Sequence, residues 1–123
     1  MCLAKVPDLF KAGAAVAPVA DWSLYDTHYT ERYLDTPSAN ASGYESSGVI
    51  AHLPNLTGKL LLIHGMADDN VLFSNTTLLM HSLQSLGKQF ELMTYPGAKH
   101  ALQETAVAAH RFELMVDFFR RNL

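Results

Sequence analysis

The stretch LLLIHGMADDNV, residues 60–71, constrains the fold of this chain more than any other. Its apolar residues 60–63 lead into His64 and Gly65 and then into the adjacent acids Asp68 and Asp69. A run that is apolar on both parities is typical of a strand buried on both faces, as in a parallel sheet covered by helices. In open α/β sheets the functional groups gather beyond the carboxyl ends of the strands. The acids therefore stand where such a sheet would place a site.

Two further segments have the character of buried strands. GAAVAPV (13–19) is short, small and apolar, and QFELMTYPG (89–97) ends at a Pro-Gly turn. With KLLLIHG (59–65) they predict three strands. Strands that alternate with helices pair in parallel through helical crossovers, so the predicted fold class is α/β.

Helices are predicted between these strands and at both ends of the chain. The expected segments are the first residues up to Pro7, then 22–34, 74–87 and about 103–121. Ser74 is the expected N-cap of the third segment, and Gly87 is its expected C-terminal stop. Residues 35–47, rich in Ser, Asn, Gly and Pro, are predicted as a loop.

Size and composition narrow the class of protein. The 123 residues suit one small domain, and 49% hydrophobic with 17% charged residues is a globular composition. No apolar run reaches the roughly 20 residues of a bilayer span, so no membrane partner is predicted. A net charge of −3 without a basic stripe predicts no nucleic-acid partner. The compartment stays open.

An acid and a base are predicted to meet at one edge of the sheet. Asp68 follows the second strand, and His100 follows the third, 32 residues later, which is one helix plus one strand. Adjacent parallel strands would bring these two loops side by side. The chain order acid then histidine is that of an α/β-hydrolase triad, in which the carboxylate orients the histidine that takes the nucleophile's proton.

From the residues alone, other interpretations stay open. Asp-Asp-Asn after a strand often serves only the turn, and a histidine in a Pro-Gly loop is often only solvated. His64 precedes the acid, against the usual order, so we interpret it as structural. A metal site of His64, Asp68, Asp69 and His100 is a further hypothesis, but neither a His-Glu-x-x-His nor an EF-hand pattern is present. We therefore predict neither a metal nor a cofactor.

The nucleophile of such a triad is not found in this sequence. No G-x-S-x-G pattern occurs in residues 1–123. Cys2 is no substitute, because nothing before it can form the strand and tight turn that expose a nucleophile. A complete catalytic set is therefore not predicted within these residues.

Three long segments resemble a known family. APVADWSLYDTHYTERYLDTP (17–37), LLLIHGMADDNVLF (60–73) and FELMTYPGAKHAL (90–102) are similar to the carboxyl-terminal part of the catalytic domain in the prolyl oligopeptidase family. The likeness is strongest to its dipeptidyl peptidase IV branch, of bacterial type. It implies an α/β-hydrolase sheet of about three parallel strands with flanking helices, without the half that carries the nucleophile elbow. It also implies that residues 1–123 are the carboxyl-terminal portion of that domain and begin just after the serine.

The resemblance assigns roles to individual residues. Asp68 matches the triad acid, and His100 matches the triad base. Asn70 matches a residue that hydrogen-bonds the substrate's backbone carbonyl. The pocket for the proline or alanine before the scissile bond is matched by five apolar residues: Val19, Trp22, Tyr25, Tyr29 and Val71. Without the resemblance, Trp22, Tyr25 and Tyr29 would be interpreted as an ordinary core-facing stripe.

The chain is predicted to be part of a serine dipeptidyl peptidase that removes Xaa-Pro or Xaa-Ala from the amino terminus of peptides, and to supply its triad acid, its triad base and part of its specificity pocket. The isolated chain is expected to be inactive, because removing the serine leaves little of a triad's catalysis. One alternative is an acylaminoacyl peptidase or esterase of the same fold, and another is a non-catalytic assembly module. We also expect a homo-oligomer, formed through an apolar edge of the first strand.

Overall fold

Three parallel strands form the centre of the structure, a computed structural model that describes all residues 1–123. They are β1 (Ala12–Val16), β2 (Lys59–Gly65) and β3 (Glu91–Tyr95), in the order β1-β2-β3. The register places Ala14 beside Leu61 and Ile63 beside Met93. The predicted parallel α/β arrangement is therefore confirmed, and β2 is the central strand.

Five helices surround the sheet. They are α1 (Cys2–Lys5), α2 (Thr27–Leu34), α3 (Ala41–Ser47), α4 (Ser74–Ser85) and α5 (Thr105–Asn122). Two 3₁₀ segments, Trp22–Leu24 and Ile50–Asn55, complete the regular structure. No helix has both the length and the apolar character that crossing a membrane requires.

The segment after β1 differs from its prediction in two places. Residues 22–34 are not one helix: a 3₁₀ turn ends before Tyr25, whose backbone is extended, and Asp26 then caps α2 through the amide of Tyr29. Residues 35–47 are not all loop, because α3 begins after Asn40, whose side chain accepts from the amide of Gly43 at 3.1 Å. Short polar caps thus set helix boundaries that apolar spacing alone did not indicate.

The ends of α4 bear out one prediction and correct another. Ser74 is the first residue of the helix and not its N-cap; Phe73 takes that position without a side-chain hydrogen bond. Gly87 follows the helix with a φ of 65° and lies in the left-handed region that glycine adopts without strain. It stops the helix as predicted.

Both faces of β2 are buried in separate apolar clusters. Leu60 and Leu62 face a cluster that includes Leu3, Leu79 and Leu83, from α1 and α4. The alternate residues Leu61 and Ile63 face a second cluster, which includes Phe118 of α5 and Leu102. Because the side chains of a strand alternate, a strand covered on both sides is continuously apolar, and β2 has that pattern. This buried strand holds the loop that follows it.

Candidate active site

The loops that follow β2 and β3 are joined at the carboxyl edge of the sheet. The amide of Met66 donates to the carbonyl of Tyr95 at 3.0 Å, and the amide of Ala67 donates to that of Ala98 at 3.1 Å. These bonds extend the pairing of β2 with β3 beyond the last paired residues. They bring the loop of Asp68 against the loop of His100, as the parallel topology predicts.

Gly65 is the point of closest approach between the two loops. A Cβ placed on Gly65 would collide with the backbone carbonyl of Ala98 and would lie 2.9 Å from the carbonyl oxygen of Lys99. Only glycine leaves room for backbone there. The loop of His100 can therefore rest directly on the end of β2.

The carboxylate of Asp68 is buried and fully hydrogen-bonded. Its Oδ1 accepts from the amides of Asn70 and Val71, each at 3.0 Å. Its Oδ2 lies 2.9 Å from Nδ1 of His100 and 3.0 Å from Nε2 of His64. Four donors around one carboxylate fix both its position and its plane.

The charge state of Asp68 follows from these contacts. Burial raises the pKa of the carboxyl, but the hydrogen bond from His100, the amide of Asn70, the charge of His100 and the amide of Val71 outweigh it. The net effect lowers the pKa below its usual value of 3.8. Asp68 is therefore an anion at neutral pH despite a relative exposure of only 5%.

His100 is bound on one side and open on the other. Its Nδ1 is engaged by Asp68, and its side chain is 40% exposed. The next residues hold the loop, since Leu102 is buried in the α5-facing cluster with a left-handed φ of 49°. Nε2 of His100 is thus the ring nitrogen left to exchange a proton with a group outside the protein core.

His64 lies on the other side of the acid. The sequence predicts a structural role for it, and it is wholly buried, but its ring also contacts the predicted acid. Nε2 lies 2.9 Å from the carbonyl oxygen of Val71, and Nδ1 lies 2.7 Å from Oγ1 of Thr76. The contact with Asp68 was missed because chain order alone argued against a role for His64.

Asp69 stands apart from this centre. Its carboxylate is exposed and lies 2.6 Å from Nζ of Lys99. The hydrogen bond from Lys99 lowers the pKa of the Asp69 carboxyl. No three His, Cys, Asp or Glu side chains are arranged to hold a metal ion. The hypothesis that joined Asp69 to the two histidines in a metal site finds no support in this geometry.

Trp22, Tyr25 and Tyr29 form an aromatic cluster beside the loop that carries Asp68, residues 66–73, here called the acid loop. The ring centroids are 6.0 Å apart for Trp22 and Tyr25, 5.6 Å for Tyr25 and Tyr29, and 6.2 Å for Trp22 and Tyr29. The hydroxyl of Tyr25 donates to Oδ1 of Asn70 at 2.8 Å. The cluster is thereby linked to the loop of Asp68, and the amide nitrogen of Asn70 stays free to donate.

A cavity of about 190 Å³ lies against this cluster. Its lining comes from α2 and the two segments that flank it: Trp22, Tyr29, Thr30, Tyr33, Leu34 and Ser47. Of the six predicted substrate-binding residues, only Trp22 and Tyr29 line it. Val71 is a buried residue of the acid loop, and Val19 is half-buried after β1, so their place in a pocket stays a prediction.

Asn75 joins the aromatic segment to α4 and was missed by sequence analysis. It is wholly buried, and its Oδ1 accepts from the amide of Ala20 at 3.0 Å and from that of Asp21 at 3.4 Å. The only signal in the sequence is an asparagine at the second position of the predicted helix, and an asparagine there usually serves only as a cap. Asn75 holds the segment after β1 that leads into Trp22.

A sequence model of the prolyl oligopeptidase family matches residues 1–123. The chain belongs to this family.

Individual members of the prolyl oligopeptidase family show how similar the chain is. It is 35% identical over 126 aligned positions to dipeptidyl peptidase 8 of Homo sapiens, with all of the chain covered. It is 41% identical to venom dipeptidyl peptidase 4 of Vespa velutina, with 97% covered. The chain spans 14% and 16% of the length of these two curated relatives.

Solved structures in the family share the fold. The crystal structure of Porphyromonas gingivalis dipeptidyl peptidase 4 superposes with a TM-score of 0.90 and 41% identity, over 93% of this chain and 16% of that one. A putative dipeptidyl aminopeptidase IV from Bacteroides ovatus gives a TM-score of 0.89 and 34% identity, over 98% and 17%. The three strands and their helices are therefore part of an α/β-hydrolase-type unit, as the sequence predicted.

Proposed function

We propose that this chain supplies the acid and the base of a serine-type dipeptidyl peptidase, with Asp68 and His100 in those roles. The observation that carries the proposal is the hydrogen bond of 2.9 Å between the buried Oδ2 of Asp68 and Nδ1 of the half-open His100. Family membership favours this chemistry, and the relatives named dipeptidyl peptidases favour this substrate class.

The proposed mechanism is acyl transfer through a serine ester. Asp68 holds the Nδ1–H tautomer of His100, so Nε2 accepts the proton of the serine hydroxyl as that oxygen attacks the scissile carbonyl. The anion of Asp68 then stabilises the imidazolium. His100 returns the proton to the leaving amine, and water later cleaves the ester by the same route.

The aromatic cluster is proposed to bind the residue before the scissile bond. A pyrrolidine ring is flat and apolar, and the rings of Trp22, Tyr25 and Tyr29 present apolar faces to it. Val19 and Val71 are proposed to complete this pocket. The amide nitrogen of Asn70, oriented by Tyr25, is proposed to donate to a backbone carbonyl of the peptide.

The serine is proposed to lie outside residues 1–123, since no G-x-S-x-G pattern occurs in them. The first test is hydrolysis of a chromogenic Gly-Pro amide by the purified chain, with a fluorophosphonate probe for an activated serine. We expect neither turnover nor labelling. Turnover with a labelled serine in this chain would overturn the assignment of a missing nucleophile.

Binding separates the proposed substrate class from its rival. Trp22 is the only tryptophan of the chain, so its fluorescence reports on the aromatic cluster. Gly-Pro should quench or shift this emission saturably and at a lower concentration than Gly-Glu, the matched control. Tighter binding of N-acetylalanine than of Gly-Pro would instead favour an acylaminoacyl peptidase or esterase.

A second copy of the chain is the partner proposed for the free edge of β1. The amide of Lys59 donates to the carbonyl of Lys11, and the amide of Ala17 donates to the carbonyl of Ile63. Backbone groups of odd-numbered residues in this strand thus face β2, and those of Ala12, Ala14 and Val16 face outward. An edge with small side chains and outward amides invites pairing with another strand.

A further inference from the structure

We propose that His64 is a positioning residue for the acid, and that its neutral Nε2–H tautomer, with Nδ1 accepting from Thr76, holds Asp68 in place for His100. This inference rests on the roles proposed above for Asp68 and His100. The established contacts of Asp68 with its own loop do not require a buried imidazole. The ring of His64 contacts Thr76, Asp68 and Val71, and these three polar contacts point to a further role.

The tautomer follows from the partners of each ring nitrogen. Nε2 of His64 lies between Oδ2 of Asp68 at 3.0 Å and the carbonyl oxygen of Val71 at 2.9 Å. A carboxylate and a carbonyl are both acceptors, so Nε2 must carry the hydrogen. The side chains of His64 and Thr76 are fully buried, so each of their polar atoms needs a partner within the protein, and a neutral ring that carries its hydrogen on Nε2 needs a donor at Nδ1. Nδ1 is therefore the acceptor, and the Thr76 hydroxyl donates to it at 2.7 Å.

The ring of His64 bridges two parts of the acid loop. One N–H holds the carboxylate of Asp68 and the carbonyl of Val71, three residues apart in sequence. The same loop turns back so that the amides of Asn70 and Val71 reach Oδ1. Each carboxylate oxygen thus accepts two hydrogen bonds, and rotation of the carboxylate would break contacts on both. His64 supplies the second hydrogen bond to Oδ2, the oxygen that His100 also contacts.

In this arrangement the hydroxyl of Thr76 acts as the donor to Nδ1. If its hydroxyl accepted instead of donating, Nδ1 would need the hydrogen, and a neutral His64 would then present a lone pair to two acceptors. That arrangement would repel both Asp68 and Val71. The two acceptors on Nε2 therefore set the tautomer, and the first turn of α4 supplies the donor that Nδ1 then needs. A buried threonine on the helix becomes part of the support of the site.

The first measurement is made on the unsubstituted chain, and a His64 variant serves only to assign the signal. Histidine labelled with ¹⁵N in the full 123-residue chain reports tautomers through the two ring nitrogen shifts. We expect one of the six histidines, assigned by its loss in His64→Leu, to show a pure neutral Nε2–H form. An Nδ1–H form, a tautomer mixture or an imidazolium at neutral pH would overturn the proposal.

The second measurement follows the Nδ1–H proton of His100, whose resonance depends on its bond to Asp68. His64→Leu removes the donor and fills the space, so this resonance should move upfield or be lost to solvent exchange. His64→Gln keeps an N–H near the position of Nε2 and should restore it. Thr76→Val removes the donor to Nδ1, so the Nδ1 shift of His64 should move towards that of a lone pair without a hydrogen bond, while Nε2 keeps its hydrogen because Asp68 and Val71 still accept from it.

A control variant separates positioning from packing. Ile63→Val removes one methyl group from the neighbouring buried residue, whose side chain lies in the α5-facing cluster with Phe118. It should leave both histidine signals unchanged. A His100 resonance in His64→Leu that stays in place or moves downfield would show that His64 is only a core residue.

The two proposals fail in different ways. Should the His100 resonance show a bond to Asp68 in the parent chain and in His64→Leu alike, the acid–base pair stands and the role of His64 falls. Should the parent chain show no such bond at all, the proposed function itself falls. If His64→Leu does not fold, His64→Gln assigns the histidine signal, and the tautomer in the parent chain and the response of Thr76→Val decide.

Discussion

The backbone carbonyl of Ala98 occupies the space that a side chain on Gly65 would need. This contact sets the distance between the two loops that carry Asp68 and His100, because Gly65 ends β2 and Ala98 precedes His100 by two residues. The contact between Asp68 and His100, which are 32 positions apart in sequence, thus depends on glycine at position 65, which has no side chain.

Gly65→Ala should push the His100 loop away from the end of β2. We expect a loss of stability of about 1–3 kcal/mol, as for other overpacked buried sites, together with loss of the Asp68–His100 hydrogen bond. Denaturant titration measures the first, and the Nδ1–H resonance of His100 measures the second. Gly13→Ala is the matched control, because its Cβ would meet Leu3 at an ordinary 3.6 Å. Equal effects of both variants would contradict this account.

Asp68→Asn should weaken the acid dependence of stability. The pKa of the Asp68 carboxyl is lower in the folded state than its usual 3.8, so the folded state binds this proton less tightly than the unfolded state. The stabilisation is present above the unfolded value and is lost as the pH falls through the folded one. Urea unfolding from pH 7 to pH 2 should therefore show a shallower acid slope in the variant.

The control for Asp68 is its neighbour. At neutral pH, Asp68→Asn should cost about 1–3 kcal/mol, because buried donors lose an ionic acceptor. Asp69 also has a lowered pKa, through its hydrogen bond with Lys99, but both side chains are exposed. Asp69→Asn should change the slope and the stability much less, since exposed pairs contribute little. A larger effect at position 69 than at position 68 would contradict the burial argument.

Tyr25→Phe should weaken ligand binding without weakening the fold. The hydroxyl of Tyr25 orients the carboxamide of Asn70, and its loss frees that group to rotate. A hydrogen bond worth about 1 kcal/mol corresponds to roughly five-fold weaker binding of Gly-Pro. Trp22 fluorescence measures the affinity. Tyr95→Phe removes a hydroxyl that is bonded to His110 of α5, away from the aromatic cluster, and should leave the affinity unchanged; equal loss in both variants would count against the role of Asn70.

Ala14→Pro should reduce self-association. The amide of Ala14 faces outward from the edge of β1, so a proline there removes an edge donor and spares the pairing with β2. We expect the parent chain to form dimers or larger species as concentration rises, and the variant to remain monomeric. Light scattering over a concentration series tests both, with Ala14→Val as the control. A parent chain that is monomeric throughout would refute pairing at this edge.

The sequence alone determined the elements with strong patterns. β2 was predicted with its observed bounds, since a strand covered on both faces must be continuously apolar. The meeting of Asp68 with His100 followed from parallel order, which fixes the edge at which successive loops emerge. The helix break at Tyr25 and the helix Ala41–Ser47 were not predicted, because they depend on single caps and on Tyr44, whose buried hydroxyl donates to the carbonyl of Asp35 at 2.8 Å.

Only the tertiary structure decided how the acid is held. The sequence placed His64 before Asp68 but did not show that its ring turns towards the carboxylate, nor that Thr76 reaches its other nitrogen. Such choices depend on the side-chain rotamers and on which helix covers which face of the strand, and these are set by packing across distant segments. Periodicity in the sequence records which residues are buried. It does not record which buried polar groups become partners, because that depends on distances of a few tenths of an ångström.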